Sequence, residues 1–174
     1  MTHGTRHSTA WLGKHEVYIN ARSRSASTTP PWKRVQAISA HDGFDAKVDS
    51  SLGVLLDPSQ GGVLGGLTSV RSADKTKYHR HLYFAIASGS SVARPLQGLG
   101  APSDHRYNLT LHKSTNGGKN WDAHKIWDGY SGYTALAPLD QSGSAVAVFW
   151  ETGVDEGCDL ACGLSFGIIR NNSD

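Results

Sequence analysis

The 174-residue sequence lacks the features of several specialised classes of protein. It has no run of about eighteen apolar residues, which a membrane-spanning helix requires. Only 18% of its residues are charged, and the net charge of +2 is not accompanied by a cluster of Lys and Arg. A nucleic-acid-binding surface needs such a cluster. The sequence therefore predicts no membrane span and no nucleic-acid partner.

Cysteine is also scarce, and Cys158 and Cys162 are the only two. Four residues of extended chain span about 13 Å, which is too far for a disulfide bond, so both are predicted to be free thiols. His79 and His81 have no third ligand in a matching frame, and the glycine-rich residues 61–66 lack the lysine of a phosphate-binding loop. No metal and no cofactor is predicted.

Glycine and β-forming residues are abundant instead. The sequence contains 20 Gly, and its apolar and aromatic residues occur in short runs separated by Gly, Ser, Asn and Asp. This pattern favours strands and tight turns over helices. The predicted strands are residues 17–21, 34–39, 82–87, 108–113, 145–150 and 164–169. An all-β chain is predicted.

Residues 114–121 resemble the Asp-box, S-x-D-x-G-x-x-W, a turn between the outer strands of propeller blades. Asn116 stands where the pattern has Asp and can still accept hydrogen bonds from backbone amides two residues on. Gly118 permits positive φ, and Trp121 can seal the turn. A weaker relative begins at Ser39. Such a turn indicates architecture only, and leaves lectins, receptors and glycosidases open.

Arg22 and Arg106 each lie beside a predicted strand, one at its exit and one at its entrance. Guanidinium groups pair bidentately with carboxylates, stay charged, and are easier to desolvate than ammonium groups. On this ground alone the two could equally be solvated surface residues. The other arginines that stay open on the same ground are Arg24, Arg34, Arg71, Arg80 and Arg94.

The residues around these two arginines resemble motifs of the exo-α-sialidase family. Residues 19–23 followed by 34–39 resemble the frame of that family's second arginine, and residues 106–110 resemble the frame of its third. The resemblance covers nearly all of residues 17–169 and implies the carboxyl-terminal half of a six-bladed propeller. It also implies that Arg22 and Arg106 hold the carboxylate of sialic acid.

Tyr133 lies in a frame, residues 132–136, that resembles the one around the family's nucleophilic tyrosine. A neutral phenol suits this role because the anomeric carbon of sialic acid carries a carboxylate, which would repel an anionic nucleophile. Glu151, within residues 149–153, resembles the acid that supports the arginine clamp. On the residues alone, Tyr133 could instead be a packed turn residue and Glu151 a solvated carboxylate.

Three parts of the family's site have no counterpart in this sequence. They are the motif with the first arginine, the acid/base aspartate, and the glutamate that activates the tyrosine. Residues 5–10 stand in that glutamate's expected place and contain no acid. Glu16 is the remaining candidate base, although it would share a strand with Arg22. We therefore expect an incomplete propeller, which a complementary sialidase half or another copy would complete.

The sequence thus predicts an all-β partial six-bladed propeller of about two and a half to three blades. Its sialidase-like segment is residues 17–170, with a poorly matched leader in 1–16 and a tail in 171–174. The implied function is release of terminal α-linked sialic acid from glycoconjugates, with sialylated glycans as partners. Two alternatives stay open: a carbohydrate-binding or interaction module without turnover, and an incomplete product that does not fold alone.

Overall fold

The computed structural model describes residues 7–22, 32–58, 63–72, 80–89, 106–140, 145–153 and 163–170. In these ranges the chain forms strands and turns, and no helix that could span a membrane is found. The strands are β1 (His7–Gly13), β2 (Glu16–Ala21), β3 (Trp32–Lys33), β4 (Val35–Ser39), β5 (Lys47–Val48), β6 (Leu56–Asp57), β7 (Gly66–Arg71), β8 (Arg80–Ala87), β9 (Tyr107–Ser114), β10 (Asp122–Pro138), β11 (Ala145–Thr152) and β12 (Gly163–Arg170). The all-β prediction is confirmed.

The strands pair in chain order into three antiparallel groups, termed blades 1 to 3. Blade 1 contains β1, β2, β4 and β5. Blade 2 contains β7, β8, β9 and residues 122–130 of β10, while blade 3 contains residues 131–138 of β10 with β11 and β12. β10 changes partner from β9 to β11 within its length, so the six-stranded sheet from β7 to β12 divides into two blades. β3 pairs separately with β6.

The core lies between the blades. Alternate residues of a strand face opposite sides of its sheet, so each blade can bury one face against the blade before it and one against the blade after it. Tyr18 and Leu82 belong to a buried cluster between blades 1 and 2. Tyr83 and Val148 belong to another between blades 2 and 3.

The first strands of the three blades are β1, β7 and the second half of β10, and hydrogen bonds join them at their starts. Ser8 Oγ donates to Gly65 O at 2.7 Å. Gly66 N donates to Thr134 Oγ1 at 2.6 Å, and Thr134 Oγ1 donates to Ala85 O at 2.6 Å. One hydroxyl on blade 3 therefore fixes the start of the first strand of blade 2.

Every predicted strand is present, with ends within two residues of the predicted ones, as β2, β4, β8, β9, β11 and β12. Within residues 1–16, which the sequence analysis treats as a poorly matched leader, His7–Gly13 forms β1 and pairs with β2 from His7 opposite Ala21. The strand begins with three polar residues, of which His7 and Thr9 are exposed, and they weaken its apolar alternation. Cys158, Cys162 and the predicted tail lie outside the described residues.

Candidate functional site

The strand register brings the predicted site residues to one end of the blades. Arg22 directly follows β2, and Arg106 directly precedes β9. Tyr133 lies where β10 begins to pair with β11, and Glu151 lies near the end of β11. In an antiparallel blade, the first strand starts, the second ends and the third starts at the same end. The four side chains therefore share the end that we term the upper end.

Arg106, Tyr133 and Glu151 form one cluster there. The guanidinium carbon of Arg106 lies 5.7 Å from the centre of the Tyr133 ring, within the range of a cation–π contact. The Arg106 carbonyl accepts a hydrogen bond from Ser131 N at 2.8 Å. Glu151 Oε2 accepts one from Tyr133 N at 2.9 Å. The tyrosine is thus held between an arginine of blade 2 and a carboxylate of blade 3.

Gly132 makes this close approach possible. A Cβ atom at this position would collide with the carboxylate and the Cβ of Glu151. On the other side, the Tyr133 ring packs against a buried cluster that includes Val63 and Phe84. Both the backbone and the ring of Tyr133 are therefore positioned by packed elements.

Arg22 lies near Arg34 at the same end, on blade 1. Arg34 forms a buried ion pair with Asp57, and its Nη1 also donates to Val63 O at 2.9 Å. Burial lowers the pKa of Arg34, the attraction of Asp57 opposes this, and the positive charge of Arg22 adds to the lowering. Arg22 and Arg106 are thus held by different blades.

Arg34 is a supporting residue that the sequence left undecided. Its Nε donates to Asn20 Oδ1. Its guanidinium carbon lies 5.0 Å from the centre of the Phe84 ring, and Phe84 in turn belongs to the cluster on which Tyr133 packs. Arg34 therefore links the surroundings of Arg22 to those of Tyr133. No sequence signal could have found this link, because its partner Asp57 lies in a two-residue strand without a pattern.

Several buried polar atoms at the upper end lack a hydrogen-bond partner among the described residues. They are Arg22 Nε, Arg34 Nη2 and Ser131 Oγ. Such atoms are rare in folded proteins because an unsatisfied buried polar group is costly. Two of the three are guanidinium nitrogens, which are donors suited to a carboxylate.

Residues 114–121, which resemble an Asp-box in sequence, lie at the opposite, lower end and do not join this cluster. Ser114 Oγ accepts a hydrogen bond from Gly118 N at 2.9 Å, and Asn116 Oδ1 accepts one at 2.9 Å from the amide four residues on. The Trp121 ring lies 5.9 Å from that of Tyr18 on blade 1. The turn bonds its own backbone and packs against the neighbouring blade, which is a structural arrangement.

Glu16 also lies towards the lower end. It begins β2, whereas Arg22 follows the end of that strand, so about 20 Å of extended chain separates them. A cavity of about 530 Å³ at the lower end is lined by Trp11, Arg71 and Arg80, among others, and none of the predicted site residues reaches it. Among the described residues, no group of three metal-ligating side chains is found.

Comparison with solved structures identifies the fold. The structure titled "Hadza microbial sialidase Hz136" matches with a TM-score of 0.64 at 16% sequence identity, over 95% of this chain. The fold is sialidase-like. The partial propeller predicted from the sequence is therefore confirmed. This chain spans 27% of the length of that sialidase. No protein-family model and no curated protein matches the sequence.

Proposed function

We propose that the chain is a segment of a sialidase-type glycoside hydrolase, which releases terminal α-linked sialic acid from glycoconjugates. The observation that supports this best is the contact of Arg106 with the Tyr133 ring, while Glu151 accepts a hydrogen bond from the backbone of that tyrosine. It occurs at the upper end of a sialidase-like propeller. Sialylated glycans are the corresponding ligands.

In this proposal, Arg22 and Arg106 bind the sialic-acid carboxylate from two blades. Arg22 Nε is buried without a partner among the described residues, so a carboxylate oxygen would satisfy it. Arg34 is already paired with Asp57 and would keep its role of support. Glu151 would hold the strand that carries Tyr133 rather than contact the glycan.

Tyr133 is the proposed nucleophile. Its phenolic oxygen would form a bond to the anomeric carbon as the glycosidic C–O bond breaks, with the phenolic proton passing to a base and another proton passing to the departing alcohol. Water would then cleave the tyrosyl–sialyl bond and restore the phenol. Two inversions at the same carbon give net retention.

A second candidate function is glycan binding without turnover. A specific observation favours it: neither carboxylate considered as a base is well placed for that role. Glu151 accepts the bond from Tyr133 N, and Glu16 begins β2 towards the lower end. An unassisted phenol is a poor nucleophile at neutral pH.

Turnover of a fluorogenic sialoside by the purified chain separates the two functions. The hydrolase proposal expects release of fluorophore that is abolished in Tyr133→Phe and retained in the matched control Tyr130→Phe, which alters a tyrosine of the same strand. Sialic-acid binding is measured in parallel by NMR titration with Arg106→Ala. Binding without turnover supports the second function, whereas a folded chain that neither binds nor turns over a sialoside contradicts both.

A further inference from the structure

The two end blades each leave an apolar face uncovered by the described strands. On blade 3, the side chains exposed by 43–68% form what we term the tail face, namely Phe149, Leu164, Phe166 and Ile168. On blade 1, the corresponding residues form the head face, namely Val17, Ile19, Val35 and Val48. Val35 and Val48 are exposed by 39% and 72%. Contiguous apolar surface of this kind marks an interaction site.

The strand register places each set on one side of its blade. Phe149 lies directly opposite Phe166, with their ring centres 6.2 Å apart. On blade 1, Ile19 lies opposite Ala37, which in turn lies opposite Val48. Directly opposed residues of antiparallel strands point to the same side of the sheet. Each face is therefore a continuous surface across several strands.

The head face has the position that the other blades use to contact the blade before them. In the second strand of blade 2, Leu82 packs in a cluster with Tyr18 of blade 1. In the second strand of blade 3, Val148 packs in a cluster with Tyr83 of blade 2. Val17 is the corresponding residue in the second strand of blade 1. Within the described strands, the head face is thus a blade–blade interface without a preceding blade.

The tail face has the converse position. Tyr18 and Tyr83 come from the sides of blades 1 and 2 that face the following blade. Phe149 lies on the equivalent side of blade 3, one residue from Val148, which faces blade 2. None of the described strands forms a blade that follows the tail face.

We propose that two copies of this chain close a six-bladed ring, with the tail face of each packed on the head face of the other. Three blades are half of a six-bladed propeller, and one chain carries both of the faces that the missing contacts need. Twofold symmetry produces two identical contacts, so the ring closes without leaving an open face. Because the symmetry axis follows the propeller axis, the upper ends of both copies lie on the same side. The proposal does not depend on the enzymatic function.

Sedimentation velocity of the purified chain tests the proposal through one substitution on each face. We expect a dimer of the 18.6 kDa chain at micromolar concentration, and a dimer dissociation constant raised by about tenfold or more in both Phe166→Asp and Val35→Asp. Phe44→Asp is the matched control, because Phe44 is 94% exposed and lies on neither face. Circular dichroism of each variant verifies the fold, and Phe166→Ser replaces Phe166→Asp if the charge prevents folding.

Mixing the two face variants identifies the geometry of the contact. A mixed dimer of Phe166→Asp and Val35→Asp has one unaltered contact and one doubly altered contact, whereas each variant alone has none unaltered. Partial recovery of dimer on mixing is therefore expected. The proposal is overturned by a folded monomer at tens of micromolar, by open polymers, or by a dimer that only Phe166→Asp disrupts and that mixing does not recover.

Discussion

Asn108 is the second residue of β9 and lies two residues after Arg106. Its φ is 60°, in the left-handed region that favours glycine and that asparagine tolerates better than most other residues. Its Nδ2 donates to Gly89 O at 2.7 Å. An asparagine in this frame therefore has a physical reason, because it allows the backbone turn and ties it to the neighbouring loop.

We expect Asn108→Ala to destabilise the chain by about 1–3 kcal/mol and to weaken the proposed sialic-acid binding, since the left-handed residue orients the segment that carries Arg106. Asn108→Gly removes the φ strain but also the side-chain hydrogen bond to Gly89 O, so its loss of stability should be smaller than that of Asn108→Ala. Urea unfolding and NMR titration measure the two effects. Equal losses in both variants would show that the hydrogen bond, rather than the left-handed φ, fixes the turn.

His112 couples stability to pH. Its ring lies 6.2 Å from that of Phe84, and burial lowers the pKa of His112 from 6.5 to about 4. Between these values the unfolded chain binds a proton at this site that the folded chain does not, so the free energy of unfolding falls as the pH falls from 6.5 towards 4. The expected loss is on the order of 2–3 kcal/mol.

Urea unfolding at several values of pH in this window measures the loss. In His112→Gln the dependence should flatten, while in His124→Gln, which alters an exposed histidine of β10, it should be unchanged. Asp45 affects the stability in a separate, lower range of pH, because hydrogen bonds from His41 and Ser39 lower the pKa of Asp45 to about 2. An undiminished slope in His112→Gln would assign the dependence to other groups.

At the scale of the element, two serine-led turns join the third and fourth strands of blades 1 and 2. Ser39 Oγ accepts a hydrogen bond from Gly43 N at 2.9 Å, and Ser114 Oγ accepts one from Gly118 N at the same distance. The two differ in packing. The turn at Ser114 lies against Tyr18 of the neighbouring blade, whereas Phe44 in the other turn is 94% exposed.

Gly118→Ala and Gly43→Ala separate backbone strain from lost packing in these turns. Gly43 has a φ of 98° and open space around a Cβ, so alanine there should cost about 1–2 kcal/mol from conformation alone. Gly118 has a φ of 91°, and a Cβ would lie 2.8 Å from Tyr18 Cε2. Its substitution should therefore cost about 2–4 kcal/mol. Similar midpoints in urea unfolding for the two variants would contradict a packing role for the turn at Ser114.

The elements that could be predicted are those with a strong local pattern. β8 and β11 carry uninterrupted apolar runs, and both were expected with nearly correct ends. β10 was not expected, because its exposed first half contains Asp, His and Lys and no regular alternation. That strand is decided by pairing first with β9 and then with β11, its two neighbours in the chain, and not by an apolar pattern of its own.

At the scale of the whole molecule, the candidate site also contains residues that a local pattern predicts and residues whose role only the fold reveals. Short motif frames predict four site residues, Arg22, Arg106, Tyr133 and Glu151. The register of the strands brings them to one end. The residues that hold these four in place cannot be predicted from the sequence. Thr134 bonds Gly66 and Ala85 only because two blades meet there, so the first strands must be placed before its role can be seen.

The buried pair of Arg34 and Asp57 joins blade 1 to the segment that leads into blade 2. Asp57 Oδ1 also accepts a hydrogen bond from Val63 N at 3.3 Å, and Arg34 Nη1 donates to Val63 O. Both side chains are fully buried. Removing one charge leaves the other uncompensated in a dry interior, whereas removing both charges avoids that cost.

We therefore expect Asp57→Asn to destabilise the chain by about 3–5 kcal/mol, and the double variant Arg34→Met/Asp57→Leu to lose less than this single substitution. Urea unfolding of the single and double variants gives the coupling energy. The proposed sialic-acid binding should still fall in the double variant, because Arg34 and Asp57 lie beside the strand ends near Arg22. If the double variant were less stable than Asp57→Asn yet bound sialic acid normally, the pair would serve stability alone, and the upper end would be organised without it.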